Sequence, residues 1–272
     1  MSTSTETASS PSPTDGPRRT AVVTGASSGI GAALARHYAA PAVTLVLHGR
    51  DAARLDAVAE SCRARGATVE TERLDVRDRA GIAAWLGATH AAHPLDLVVV
   101  NAAINGGDPG GDVETAAMAF ETVAVNLDGA LNVALPCVDL MRARGAGQIA
   151  LVSSLAAFAP LPDAPAYSGT KAALLAHGLA LREKLKPHGV KVNVVTPGYV
   201  RTAMGGEYQG WRPMEIEAAD AAARIARGLA RDRDIVAFPW IIAALARGSA
   251  LLPESLRRLG MSGFKFKIRT GR

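Results

Sequence analysis

Short apolar runs alternate with helix-like segments along most of this chain, and this alternation limits the fold more than any other feature. Strands are expected at 20–24, 43–48, 68–74, 95–101, 147–153, 190–196 and 235–238, and helices at 29–40, 52–65, 77–90, 115–143, 167–186 and 217–230. Repeated strand–helix alternation predicts a parallel sheet with helices on both faces. Right-handed crossovers then give one doubly wound α/β domain of Rossmann type with about seven strands.

The distribution of charge limits the kinds of partner. The net charge is +5, but residues 245–272 alone hold seven Lys or Arg and one acid, so the remaining chain sums to −1. A nucleic-acid-binding surface is therefore not expected on the body of the protein.

Cys62 and Cys137 cannot form a disulfide framework, and neither they nor the six histidines have metal-ligand spacing. We expect no metal and a cytoplasmic location.

A glycine-rich turn connects the first strand to the first helix, in the segment TGASSGIG at 24–31. Glycines allow close approach of the backbone to a pyrophosphate, and a helix N-terminus favours its negative charge. The candidate binding residues are Gly25, Ser27, Ser28, Gly29, Ile30 and Gly31.

A second pattern, YSGTK at 167–171, opens the long helix predicted at 167–186. Tyr167 and Lys171 are four residues apart and therefore share one helical face. An ammonium group beside a phenol favours the phenolate, so we expect Lys171 to lower the pKa of Tyr167. Ser154 follows the fifth strand, where its hydroxyl can reach a substrate carbonyl, and its neighbour Ser153 is the alternative.

These three patterns, in this order, resemble the short-chain dehydrogenase/reductase superfamily over about residues 18–240. Four further segments match that family: NAA at 101–103, where its usual third residue is glycine, LDV at 74–76, VNL at 125–127 and PGYVRT at 197–202. The resemblance implies cofactor contacts by Asp75, Asn101, Ala102, Tyr167, Lys171, Pro197, Gly198, Val200 and Thr202.

The resemblance also implies a division of catalytic roles. Tyr167 transfers a proton to or from the substrate oxygen, and Ser154 orients and polarises the carbonyl. Lys171 lowers the pKa of the phenol and contacts the nicotinamide ribose, while Asn126 supports a water in a proton relay. The reaction implied is hydride transfer between a nicotinamide and a carbonyl or secondary alcohol, in a homodimer or homotetramer.

The end of the second predicted strand indicates which cofactor is used. A site that prefers NAD carries an acid there for the ribose 2′-hydroxyl, but Gly49 stands at this position. Arg50 follows and can pair with a 2′-phosphate. We therefore expect NADP(H) as the preferred cofactor, with NAD(H) as the second choice.

The family pattern divides the chain into three parts. We expect a disordered arm at 1–19, a dinucleotide-binding catalytic domain at 20–240 with a substrate lid at 199–216, and a basic, apolar extension at 241–272. Met204, Tyr208, Trp211 and Met214 in the lid indicate either a partly apolar substrate or simple loop packing. The extension either packs on protein or makes a peripheral contact with an anionic membrane.

Two other functions share part of this pattern. A nucleotide-sugar epimerase or dehydratase also carries Y-x-x-x-K, but with different glycine spacing and a longer C-terminal region than follows Pro197 here. A sensor or scaffold could bind NADP(H) without turnover, although the Ser154, Tyr167 and Lys171 set favours an enzyme. The sequence does not specify the substrate or the direction of reaction.

Overall fold

The computed structural model describes residues 20–108, 112–206, 208–209, 212–249 and 267–268. The seven strands of its main sheet are β1 (Thr20–Thr24), β2 (Thr44–His48), β3 (Thr68–Glu72), β4 (Leu97–Val100), β5 (Gly147–Val152), β6 (Val190–Pro197) and β10 (Ile235–Phe238). They lie in the order β10-β6-β5-β4-β1-β2-β3, and every pair is parallel. The predicted doubly wound α/β sheet is confirmed.

Helices cover both faces of this sheet. They are α1 (Gly29–Tyr38), α2 (Ala52–Arg63), α3 (Arg79–Ala92), α4 (Ala116–Val123), α5 (Gly129–Arg144), α6 (Pro165–Leu185), α7 (Ala203–Gly206), α8 (Ala218–Ala230) and α9 (Trp240–Ser249). Helix α6 begins two residues before the predicted start because Pro165 occupies its first turn, where the fixed φ of proline suits a helix. The apolar segment after Pro239 forms α9, which the sequence analysis had left without a predicted element.

Two apolar layers hold the helices to the sheet. Val23 and Val99 point to the layer under α1, α2 and α8, whereas Val22 and Val98 point to the layer under α3 and α5. Consecutive residues of each central strand are therefore buried on opposite faces, as in parallel sheets covered on both sides. This packing fixes the strand ends, where the loops of the site begin.

Helices α4 and α5 are joined by a π-helical turn at Ala124–Asp128 into one run from Ala116 to Arg144. By length and composition this run could cross a membrane, but half of its most apolar window is buried inside the protein. Ala134 and Cys137 of α5 are fully buried against the sheet. The run therefore has the burial expected of a core helix.

A polar network ties the far end of α6 to the edge of the sheet. Arg182 donates to the carboxylate of Asp232 at 2.7 Å, to that of Asp234 at 2.8 Å and to the carbonyl oxygen of Val192 at 2.8 Å. Asn193 donates to the same Asp232 carboxylate at 3.0 Å. This network joins α6, β6 and the turn before β10.

Four short strands complete the description. Strands β7 (Val200–Arg201) and β9 (Ile216–Glu217) pair in parallel beside the predicted lid, and β11 (Lys267–Ile268) pairs antiparallel with β8 (Tyr208–Gln209). The tail therefore returns to the lid at 267–268. The arm predicted at 1–19, and most of the extension predicted at 241–272, lie outside the described residues.

Candidate active site

A cleft of about 1070 Å³ opens at the carboxyl ends of β1, β4, β5 and β6. This edge includes the point between β1 and β4 where the strand order reverses, which is the usual ligand site of a doubly wound sheet. Of the predicted site residues, those that line the cleft are Gly25, Ser27, Ser28, Gly29, Ile30, Arg50, Asp75, Asn101, Ala102, Ser154, Tyr167, Lys171, Pro197, Gly198, Val200 and Thr202. Gly31 and Asn126 lie behind this surface.

The glycine-rich turn packs too closely on its neighbours to carry side chains at Gly25 and Gly29. Gly25 has a φ of +66°, and a Cβ atom there would lie 2.9 Å from the Cα of Ala102. Gly29 has a φ of +56° and faces the methyl group of Thr202. Helix α1 begins at Gly29, with no side-chain cap on its first N–H groups and no acid in its first turn. The turn therefore presents a positive helix end to the cleft.

Gly31 and Asn101 support this turn from behind. A Cβ atom at Gly31 would collide with the carbonyl oxygen of Gly25, so only glycine lets α1 approach the turn so closely. The Asn101 amide donates to the carbonyl oxygen of Thr24 at 3.0 Å and to that of Gly25 at 3.3 Å. The Thr24 hydroxyl in turn accepts from the backbone N–H groups of Asn101 and Ala102.

Two arginines, not one, line the cleft at the end of β2. Arg50 is exposed beside Gly49, and a Cβ atom at Gly49 would lie 3.3 Å from the Ser27 hydroxyl oxygen. Arg54, which sequence reasoning missed, also lines the cleft and is ion-paired with Asp51 at 2.8 Å. Its position in the first turn of α2, shortly after Arg50 at the end of β2, was the available signal.

Asp75 lines the cleft beyond β3, next to Arg77. Hydrogen bonds from the Arg77 guanidinium lower the pKa of the Asp75 carboxyl to about 2, although partial burial opposes this effect. Its oxygens also accept from the backbone N–H of Arg77 at 2.9 Å. Asp75 is therefore ionised and fixed in position at neutral pH.

Tyr167, Lys171 and Ser154 come together in the inner half of the cleft. Burial raises the pKa of the Tyr167 phenol, and a hydrogen bond with Ser154 only partly offsets this rise. Burial also lowers the pKa of the Lys171 ammonium to about 8. The Lys171 Nζ atom lies 5.5 Å from the centre of the Tyr167 ring and donates to the Val152 carbonyl oxygen at 2.9 Å. Desolvation of the phenol is the largest effect on the Tyr167 pKa, and the lowering expected from Lys171 stays a prediction.

The two candidate serines differ in their surroundings. The hydroxyl of Ser153 is buried and donates to the backbone carbonyl oxygen of Lys171 at 2.7 Å. The hydroxyl of Ser154 accepts from the Ala156 N–H at 3.1 Å and is the one hydrogen-bonded to Tyr167. Ser153 therefore links β5 to α6, and Ser154 is the serine beside the phenol.

Asn126 lies in the π-helical turn and is completely buried. Its side chain accepts from the N–H of Ile104 at 2.7 Å and donates to the carbonyl oxygen of the same residue at 2.9 Å. This double hydrogen bond fixes the loop after β4, where Ile104 itself lines the cleft.

The outer walls of the cleft are mostly apolar. The Gly198 N–H donates to Phe238 O at 2.7 Å, and the Thr202 hydroxyl accepts from the Gly205 N–H at 2.9 Å. Apolar residues contributing to these walls are Leu155, Ala159, Leu161, Pro162, Met204, Pro213, Ile242, Leu245 and Ala246. The last three belong to α9, which sequence reasoning did not place at the site. Trp211, which was expected in the lid, lies outside the described residues.

Within the described ranges, no group of three or more His, Cys, Asp or Glu side chains is arranged to hold a metal ion. The polar groups of the cleft are instead suited to a dinucleotide at the glycine turn and a proton-transferring phenol beside a small oxygen-bearing ligand. The fold and the cleft together define a dinucleotide-binding protein of the doubly wound class.

Comparison with known proteins identifies the family. The model of the short chain dehydrogenase family matches residues 19–213. An uncharacterized oxidoreductase of Myxococcus xanthus is 35% identical over 243 residues, which make up 88% of this chain and 94% of that protein. The chain therefore belongs to the short-chain dehydrogenase/reductase family and is an oxidoreductase.

Two similar solved structures contain a nicotinamide cofactor. A short-chain dehydrogenase from Sphingobium yanoikuyae in complex with NADPH is 28% identical, with a TM-score of 0.75 over 90% of this chain and 96% of that chain. A metagenomic short-chain oxidoreductase in complex with NADP is 32% identical, with a TM-score of 0.68 over 79% of this chain and 91% of that chain.

Proposed function

We propose that this protein is an NADP(H)-dependent carbonyl reductase in which Tyr167 supplies the proton. The observation that carries this proposal is the convergence of Ser154, Tyr167 and Lys171 in one cleft with the glycine-rich turn. The phenol of Tyr167, hydrogen-bonded to Ser154, can donate a proton to a carbonyl oxygen. The direction proposed is reduction of a carbonyl to an alcohol, because NADPH is a hydride donor.

The residues of this chain divide the work of the reaction. Bound NADPH supplies the hydride to the carbonyl carbon. Ser154 donates a hydrogen bond to the substrate oxygen and holds it beside the phenol. Tyr167 gives its proton to that oxygen as negative charge develops there. The Lys171 ammonium stabilises the resulting phenolate, because it is positively charged and lies beside the ring.

The cleft fits the proposed cofactor at three places. The backbone of Gly25 and Gly29, which carries no side chain, and the uncapped start of α1 suit a pyrophosphate. Asp75, Asn101 and Ala102, which line the cleft, would contact the adenine half, and Pro197, Gly198, Val200 and Thr202 would contact the other half. Arg50 and Arg54, beside Gly49 where no acid stands, suit a 2′-phosphate. NADP(H) is thus the preferred cofactor and NAD(H) the weaker one.

The apolar outer walls support a partly apolar carbonyl substrate. Two alternative functions receive less support. An epimerase or dehydratase acting on nucleotide sugars needs polar groups for a second nucleotide, and the outer walls offer few. Burying the ammonium of Lys171 costs free energy. An enzyme gains from this lysine because its charge can stabilise the Tyr167 phenolate, whereas a sensor or scaffold has no phenolate to stabilise.

The assembly and location of the protein belong to the same proposal. We infer a homodimer or homotetramer through the helices that hold Asn126 and Tyr167, where Phe120 of α4 is 74% exposed and apolar. A cytoplasmic enzyme with a peripheral membrane contact through 241–272 also remains a prediction, as most of that extension lies outside the described residues.

The proposal is tested by Tyr167→Phe in a screen of carbonyl compounds that follows NADPH absorbance. Removing the exchangeable proton should lower turnover by at least about 10²-fold while NADPH affinity stays within a few-fold. Ser154→Ala should also impair turnover, and Ser153→Ala serves as the matched control. More than half of the original activity in Tyr167→Phe, on a substrate the unmodified enzyme reduces, would exclude this mechanism. Tight NADPH binding without turnover of any carbonyl would favour the sensor.

A further inference from the structure

Four arginines surround a shallow depression at the end of α8, away from the cleft. They are Arg224, Arg227, Arg231 and Arg233, and all four are exposed. The depression has a volume of about 260 Å³ and is walled by α8 and β10. The acids nearest in sequence, Asp232 and Asp234, are both paired with Arg182. In the part of the chain that the structure describes, none of the four arginines forms an ion pair with a carboxylate.

The positive potential extends beyond α8. Burial lowers the pKa of His37 at the end of α1, and the charges of Arg227 and Arg65 lower it further. Like charges gathered on one surface repel one another, and this repulsion is relieved when an anionic surface binds. The cluster of Arg224, Arg227, Arg231 and Arg233, here called the arginine cluster, therefore favours a polyanionic partner.

An apolar face begins where the arginine cluster ends. Trp240 lines the same depression and is the first residue of α9. Trp240, Ile241 and Leu245 are 73%, 41% and 68% exposed, whereas Ala243 and Ala246 on the opposite side of the helix are buried. Among the described residues, three of the seven large hydrophobic side chains that are exposed therefore belong to this one helix. Grouped exposure of this kind marks an interaction surface.

The same helix forms part of the wall of the active-site cleft. Ile242, Leu245 and Ala246 line that cleft, and Leu245 is both exposed and part of its lining. The outer apolar face of α9 is therefore continuous with the mostly apolar walls near the cleft opening.

We propose that the arginine cluster and the exposed face of α9 together dock the protein on an anionic phospholipid bilayer. Arginines pair with lipid phosphates, tryptophan favours the interface, and Ile241 and Leu245 insert into the acyl boundary. An acidic protein would match the arginines but not the adjacent aliphatic face, whereas a bilayer presents phosphates and hydrocarbon side by side. If the proposed reductase function holds, the substrate is a lipid-soluble carbonyl that enters past Leu245.

Helix α8 belongs to the catalytic domain and α9 is the helical start of the extension at 241–272, so this surface differs from a contact made by the basic residues of 250–272. Most of the tail's charge lies in residues 250–272, outside the described helices. Docking through α8 and α9 predicts that binding depends on Arg224, Arg227 and Trp240 more than on Arg257, Arg258 and Lys265.

The test is co-sedimentation of the full-length protein with vesicles of equal parts phosphatidylcholine and phosphatidylglycerol, compared with pure phosphatidylcholine. Binding is expected on the anionic vesicles only and should weaken as salt is added. The R224E/R227E variant should lower vesicle affinity by at least about 30-fold, since each basic residue near a membrane contributes about fivefold. Trp240→Ser should also weaken binding.

Matched controls separate this surface from general charge and apolarity. Arg142→Glu changes an exposed arginine of α5, and Val113→Ser changes an exposed apolar residue before α4. Both should bind anionic vesicles as the unmodified protein does. Trp240 emission should shift to shorter wavelength on these vesicles, and Trp240→Phe should remove that shift.

Three outcomes would overturn the proposal. The first is absence of binding to anionic vesicles at low salt. The second is unchanged binding by R224E/R227E. The third is an equal or larger loss of vesicle binding when Arg257, Arg258 and Lys265 are replaced by glutamine in the full chain, which would assign docking to the tail.

Turnover of a water-soluble carbonyl without vesicles tests the reductase function separately, and R224E/R227E should leave this turnover unchanged.

Discussion

Burial controls the acid–base properties of the residues at the centre of the cleft. Burial raises the pKa of Tyr167, although a hydrogen bond with Ser154 partly offsets this rise. Burial also lowers the pKa of Lys171 from 10.5 to about 8. Both shifts favour the neutral form of each side chain. The phenol thus keeps its proton at neutral pH, while the ammonium of Lys171 is close to losing its own.

The lowered pKa of Lys171 predicts how the rate of carbonyl reduction depends on pH. The ammonium form of Lys171 is required to stabilise the Tyr167 phenolate, and it persists below about pH 8. The kcat/KM for carbonyl reduction should therefore be level in the neutral range and fall as the pH rises through about 8, where Lys171 loses its proton.

Steady-state rates across pH check this expectation, with Lys171→Arg as the comparison. Arginine stays protonated throughout, so whatever activity this variant retains should show no alkaline fall in the same range. An identical alkaline fall in both proteins would assign the titration to another group.

Cofactor preference gives a second prediction at the scale of single residues. Arg50→Ala should weaken NADPH binding by about 10- to 100-fold and leave NADH binding nearly unchanged, because a charge-assisted contact to a 2′-phosphate is lost. Arg54→Ala should have a smaller effect, since Asp51 already holds that guanidinium.

Calorimetry with both cofactors measures these changes, and Arg63→Ala, an exposed arginine on the same helix, is the control. Equal affinity of the unmodified protein for NADPH and NADH would contradict the proposed preference.

Spacing placed Tyr167 and Lys171 on one helical face, and the resemblance to the family implied the catalytic roles of Tyr167, Lys171 and Ser154. Spacing could not give the sign of the Tyr167 pKa shift, which depends on how closely the apolar cleft surrounds the phenol. Sequence reasoning favoured Ser154 over Ser153, and only packing shows that the Ser154 hydroxyl lies beside the phenol while that of Ser153 donates to the Lys171 carbonyl oxygen. Arg54 was missed because it lies in a charged helix where solvated arginines are common.

At the scale of elements, the N-terminus of α6 depends on a residue from another segment. Its N-cap is Ala164, which offers no side-chain acceptor. A Glu114 carboxylate oxygen accepts instead from the Ala166 N–H at 2.9 Å, one residue before Tyr167. A Cβ atom at Gly106 would lie 3.0 Å from both Glu114 and the Tyr167 Cβ, so the three residues are tightly packed.

Glu114→Ala should therefore lower the free energy of unfolding by about 1 kcal/mol, as loss of a helix cap does. Glu114→Gln keeps an oxygen acceptor and should retain most of this stability. Urea denaturation measures the free energy of unfolding of both variants, and Glu121→Ala, on the exposed side of α4, is the control. Equal stability of the Ala and Gln variants would show that the hydrogen bond to Ala166 does not hold the helix.

At the scale of the whole molecule, Arg182 joins the sheet edge to α6. Burial alone would raise the pKa of Asp232, but hydrogen bonds from Arg182 and Asn193 and the charge of Arg182 lower it below the usual value. A carboxyl with a lowered folded-state pKa stabilises the fold above its unfolded pKa, and this contribution is lost as the pH falls.

Arg182→Ala should lower the free energy of unfolding at neutral pH by about 2–3 kcal/mol, less than for a fully buried pair because Asp232 is partly exposed. The difference from the unmodified protein should shrink below about pH 4, where the carboxyl becomes protonated. Denaturation at several pH values measures it. Arg142→Ala, which loses only a 4.0 Å contact with Asp139, should change little. A difference independent of pH would mean that Arg182 acts through packing alone.

The order of elements was predictable because most strands of this sheet are short apolar runs that alternate with helical segments. Alternating burial of Val22 and Val23 explains why these runs are continuously apolar. Helix α9 was not predictable in the same way, since its sequence WIIAALARGS is apolar around much of its circumference and could pack anywhere. The strand pairing of Ile268 with Tyr208 joins two segments some sixty residues apart, which local patterns do not encode.

The π-helical turn at 124–128 affects how this chain should be aligned with its relatives. Such a turn inserts about one extra residue into an α-helical path, which shifts the phase of the helix by about 100°. Helix α4 packs on α6, whereas α5 packs on α3 and β5. An alignment guided by apolar spacing in α4 therefore runs one residue out of register in α5. A one-residue gap at 124–128 in a homologue should be read as loss of the inserted residue, and with it of the position that holds Asn126 against Ile104.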